Sequence, residues 1–198
     1  MSDPQAEVEG IEDLVDEVDQ ELTGITTAGE RRLAAKHWLL ASLGEHDRDQ
    51  ARMFWDAGDV ALIRLGVRMA AVRIPAHLII PLVGTRDLRS RDDFLAQALK
   101  GGPVVYDPGV QNYYALVPAI LAGHTPVPAA CRKEGVEILG RDAYLGVPDV
   151  TVDRLAGTAP GGYWAVPMDG PGELCDLAAV LQLAEQGVPR AAVEEATP

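Results

Sequence analysis

The chain has 198 residues, 47% of them hydrophobic, with 30 acidic against 17 basic residues and a formal net charge of -13. That size and hydrophobicity suit a globular body, and the apolar run Leu78 to Val83 is far shorter than the roughly 20 apolar residues a bilayer helix needs. No membrane span is expected, and the acidic start reads as neither a secretory signal nor a transit peptide, so the expected location is the cytoplasm.

The charge is concentrated at one end. Residues 1 to 30 hold ten acids and no Lys or Arg, while the remainder has 20 acids and 17 bases. Residues 1–26 therefore read as an acidic arm. Ile11, Leu14, Val15, Val18 and Leu22 recur in it at helical spacing, so it is either a solvated arm or an amphipathic helix that orders on a partner. In both cases it repels phosphate backbones and suits a basic protein surface, which predicts a protein partner more readily than nucleic acid. Cys131 and Cys175 are too few for a disulfide scaffold or a metal cluster and are expected to be buried free thiols in a reducing compartment.

A helix is predicted over 28–43, where Thr27 is the N-cap, Glu30 completes a capping box, and Leu33, Trp38, Leu39, Leu40 and Leu43 form the apolar face. A shorter helix over 47–57 carries Met53, Phe54 and Trp55 and is closed by Gly58. Strands over 60–65 and 69–74 flank the turn residues Gly66 to Arg68. The segment through Pro81 and Gly84 has no defined pattern. A helix over about 91–101 leads to a hairpin, with strands at 104–106 and 111–117 joined through Asp107 to Gly109. After a loop with His124 and a helical turn at 129–134, Val136 to Pro148 alternates on both sides of a turn at Arg141 and Asp142. This predicts a second hairpin, with Val136, Ile138, Tyr144 and Leu145 towards a core and Glu137 on the other face. A last strand over 162–166 and a last helix over 172–186 follow, and the tail 189–198 is expected to be flexible. Strands and helices mix without strict βαβ alternation. The expected class is α+β, an antiparallel-rich sheet covered by helices within one domain over 27–188.

From Met53 onward the order of elements resembles the catalytic domain of the bifunctional DNA primase/polymerase family of the archaeo-eukaryotic primase superfamily. FWDAGDVALIRLGVRMAAVRIP (Phe54 to Pro75) is similar to that family's tryptophan-bearing helix, strand, glycine turn and metal-binding strand. DPGVQNYYALVP corresponds to its GG-x-H hairpin, VEILGRDAYLGVP to its V-D-V-R-G hairpin, and GGYWAVP to its terminal strand. The resemblance implies a primase/polymerase-like, RRM-like core and two-metal phosphoryl transfer held by carboxylates.

The matching positions depart from that chemistry. Ala71 to Ile74 offers no acid, and Arg73 stands where a metal carboxylate would, opposing a cation there. Asn112 replaces the histidine, leaving Glu137 as an acid. Arg73, Asn112 and Glu137 are thus a candidate vestigial site, with no catalytic residue, metal ligand set or cofactor assigned. Arg73 reads as a paired surface residue or a phosphate binder, and Glu137 as an exposed strand residue or a surviving ligand. His37, His77 and His124 lack the spacing of a metal site. Two functions follow: a catalytically inactive primase/polymerase-like domain that binds protein or regulates, or a nucleotide-handling or DNA-processing protein, including an accessory subunit of an active polymerase.

Overall fold

The computed structural model describes residues 27–152 and 161–195. The acidic arm and the last three residues of the expected tail lie outside them. The elements are α1 (Ala28–Leu40), α2 (Glu45–Asp56), β1 (Ala61–Arg64), β2 (Met69–Pro75), α3 (Ala76–Val83), α4 (Leu88–Ala98), β3 (Val104–Asp107), β4 (Asn112–Pro118), α5 (Ala119–Ala122), α6 (Ala129–Lys133), β5 (Glu137–Leu139), β6 (Tyr144–Val147), β7 (Tyr163–Val166) and α7 (Leu177–Glu195). The fold is α+β. Five strands pair antiparallel in the order β5-β2-β4-β3-β7, and β1 and β6 form a separate antiparallel ribbon.

Local chemistry places the helix starts. The Thr27 hydroxyl accepts from the Glu30 amide at 3.2 Å, while the Glu30 carboxylate accepts from the Thr27 amide at 2.7 Å, so the capping box forms as the sequence predicts. Asp87 accepts from the Ser90 amide at 2.8 Å and starts α4. Asp176 accepts from the Ala179 amide at 2.8 Å, so the last helix begins at Leu177 rather than at 172. Its backbone continues through Pro189 to Glu195, and the residues expected to begin a tail are helical.

Alternation along β2 splits the core in two. Ala70, Val72 and Ile74 face α3, α4 and α7, where they meet Leu78, Ile79, Leu95, Val180 and Ala184. Met69 and Ala71 face the other way, towards α1, α2 and the ribbon, with Leu39, Trp55, Ile63, Val147 and Trp164. The sheet is therefore covered on both sides, and its strands read as nearly continuous buried runs. Trp55 and Trp164 fasten the second layer: their indole nitrogens donate to the carbonyls of Val147 at 2.8 Å and Asp149 at 3.2 Å. Among the described residues no helix is long and apolar enough to cross a membrane.

Two expectations are corrected. The segment 76–83, which carries no defined pattern, is a helix that contains Pro81 and closes on Gly84 in the left-handed region at φ 75. Val136 to Pro148 makes its turn, with the Ala143 amide donating to the Gly140 carbonyl at 3.1 Å, but its two halves do not pair with each other. Strand β5 adds to β2 in the large sheet and β6 pairs with β1. Val136 and Leu145 are buried and Ile138 half-buried, whereas Tyr144 points outward and is 55% exposed.

Candidate functional site

Arg73 occupies the sheet row just past the point where the second layer stops. Its predecessors on the same face, Met69 and Ala71, are fully buried, whereas the Arg73 side chain is 35% exposed. A guanidinium is tolerated there because its stem packs on the sheet while its head reaches water and acceptors. In register it lies opposite Glu137 on β5 and Tyr114 on β4. Its Nη2 approaches the Glu137 carboxylate at 3.0 Å, and its Nε donates to the Gly135 carbonyl at 3.3 Å. The structure thus brings Arg73 and Glu137 together as a cross-strand ion pair. Asn112 is one row further along the same face, opposite Pro75 and Asp107, an offset of about 6.7 Å along the strand. Among the described residues no three of His, Cys, Asp and Glu converge as a metal set would.

A cleft of about 620 Å³ opens beside this row, between the large sheet and the ribbon. Tyr114 and Leu139 supply its floor, Tyr144 and Gly146 one wall, and Asp107 and Gly162 its far end. Tyr144 and Gly146 reach the cleft from the ribbon face turned away from the core. Its chemistry is aromatic and weakly acidic. Asp107 is committed to its own turn, accepting from the Gly109 amide at 2.8 Å and the Val110 amide at 3.3 Å. Sequence reasoning does not place Tyr114 at a site and turns Tyr144 towards a core. The signals that distinguish them are tertiary: the end of the second layer beside Tyr114, and the pairing of β6 with β1 that turns Tyr144 outward.

A second polar cluster, also missed from sequence, lies on the opposite sheet face under α4. Arg91 is 5% exposed, with its guanidinium carbon 5.4 Å from the Tyr106 ring centroid and 5.8 Å from that of Tyr113. The Tyr163 hydroxyl donates to Asp92 at 3.0 Å. Burial pushes the Asp92 carboxyl up to about 7, against the opposing pull of Tyr163 and the Arg91 cation. Burial likewise raises the Tyr113 and Tyr163 hydroxyls above the usual phenol range. Nothing in the run Arg89 to Asp93 tells which charged residues turn inward. Both cysteines are free and buried, and burial pushes the Cys175 thiol up to about 12.

No family model, no characterised protein and no solved structure matches the chain.

Proposed function

We propose that this chain is a catalytically inactive primase/polymerase-like domain that acts as a protein-binding or regulatory module. The Arg73–Glu137 ion pair carries the reading. At the row where the resembling family holds divalent cations, a guanidinium sits 3.0 Å from the carboxylate, so Glu137 is neutralised by a fixed side chain. A cation entering there meets Arg73's positive charge and must break the pair before Glu137 can ligate it. The two buried free thiols suit a reducing cytoplasm, and the acidic arm supplies the means of meeting a basic protein surface.

The cleft keeps the alternative of nucleotide handling in view, because Tyr114 and Tyr144 can stack against a flat ring. Asp107 at its far end disfavours phosphate, and the nearby Arg73 is already paired. Template-dependent incorporation and primer synthesis, measured with Mg2+ or Mn2+, are expected to be absent from the full chain. Robust synthesis that disappears in Glu137→Ala would overturn the inactive reading. Nucleoside triphosphate binding that perturbs Tyr114 and Tyr144 without any synthesis would favour the alternative.

A further inference from the structure

The β1–β6 ribbon ends in two adjacent turns that put three arginines and three apolar side chains on one surface. Arg64 is opposite Tyr144 in the ladder, and Leu62 is two positions back on the same outward face. The turn at 66–69, closed by the Gly66 amide donating to the Met69 carbonyl at 2.7 Å, presents Val67 and Arg68. The turn at 140–143 presents Arg141 and Asp142 alongside it. The two turns are pressed together: Gly66 has φ +88, and a Cβ there would collide with the Arg141 backbone, so they share one tip.

This tip is apolar and basic at once. Leu62 is 62%, Val67 65% and Tyr144 55% exposed, and Arg64, Arg68 and Arg141 are exposed as well. Asp142 pairs with Arg64 at 3.4 Å, while no ion pair among the described residues reaches Arg68 or Arg141. In a chain of net charge -13, such a surface calls for an acidic occupant with spaced apolar residues. The 26 residues before Thr27 have that composition: nine acids, no Lys or Arg, and Ile11, Leu14, Val15, Val18 and Leu22 at helical spacing. Reach is not limiting, since 26 residues span up to about 85 Å when extended, against a diameter of roughly 40 Å for a domain of this size.

We infer that residues 1–26 dock in cis on this ribbon tip, their acids facing Arg68 and Arg141 and their apolar residues covering Leu62, Val67 and Tyr144. Tyr144 also lines the cleft, so the docked arm lies at its rim. The inference is independent of what the cleft binds.

The test uses the full chain with Gly10→Cys carrying a nitroxide. The two native cysteines are 0% and 1% exposed and do not compete for the label. Paramagnetic broadening of backbone amides is expected to concentrate at 62–68 and 141–146, to weaken as salt is raised, and to be lost in Arg68→Glu/Arg141→Glu. A far-UV spectrum and an amide spectrum unchanged outside the tip would show that this variant folds. Broadening that is absent, spread evenly, or retained in the charge-reversed variant would overturn the inference. So would broadening that appears between labelled and unlabelled molecules in a mixed sample, because the arm would then dock in trans.

Discussion

Asp92 shows how one carboxylate can set a pH dependence. In the unfolded chain it ionises near the ordinary value of about 4, whereas in the fold burial keeps it protonated up to about 7. The folded state therefore binds an extra proton between those values. The contribution is full below the lower value and is lost as pH rises through 7. Asp92→Asn keeps an oxygen for the Tyr163 hydroxyl, which donates at 3.0 Å, and removes the charge. Solvent reaches the half-buried Asp92 carboxyl and screens much of the effect, so the variant's stability relative to wild type is expected to improve by on the order of 1 kcal/mol between pH 5 and pH 8. Urea midpoints of both proteins at the two pH values check this, and a constant difference would refute it. The same residue marks the limit of the sequence reading. Arg73 and Glu137 are singled out in the sequence only as positions of a resemblance, and their pairing is read from the β2–β5 register; Arg91 and Asp92 are consecutive helical residues whose inward turn depends on what packs over α4. Tyr144 fails for a different reason: it and Leu145 are adjacent strand residues that must face opposite ways, and Leu145 is the one that turns to the core.

At the scale of elements, the misread segments share a cause. The run AHLIIPLV is apolar at every position but His77 and carries a proline, so periodicity cannot separate a buried helix from a strand. It becomes α3 because α7 packs along it beneath the sheet. The segment 136–148 alternates correctly and turns where expected, yet alternation fixes a face and not a neighbour. The demands of β5 and β6 are therefore met in different sheets. The α3–α7 contact gives a prediction whose sign opposes helix propensity. Gly→Ala in a helix interior ordinarily stabilises by about 1 kcal/mol. At Gly187, however, an added Cβ would collide with the Leu78 carbonyl oxygen and come within 3.0 Å of the Leu78 Cβ. A carbonyl in the backbone of α3 cannot rotate away as a flexible side chain would, so α7 must shift. Gly187→Ala is expected to destabilise by roughly 1–3 kcal/mol, and Gly187→Ser by more, as measured by thermal or urea unfolding. A stabilised alanine variant would show that the helices are not in this close contact.

For the molecule as a whole, the question is whether two cores on one sheet unfold as one. All three tryptophans belong to the second layer: Trp55 and Trp164 are buried in it and Trp38 packs against it. Both cysteines lie in the other core, under the helices α3, α4 and α7. The chain thus carries a separate native probe on each side. The strands that divide the cores also join them: Val104 faces one and its neighbour Val105 the other, and Tyr163 and Trp164 repeat the arrangement on β7. Loss of the second layer would expose Ala71, Val105, Leu116 and Trp164 across the middle of the sheet. At about 25 cal/mol per Å² of apolar surface, that exposure costs several kcal/mol, a large share of a typical domain's 5–15 kcal/mol. Partial unfolding is therefore disfavoured. Tryptophan fluorescence and pulsed thiol labelling, followed through the same urea series, are expected to give coincident transitions with one midpoint. Tryptophan signal lost at lower urea than thiol protection would mean that α1, α2 and the ribbon peel off as a separate unit, and the cooperative account would fail.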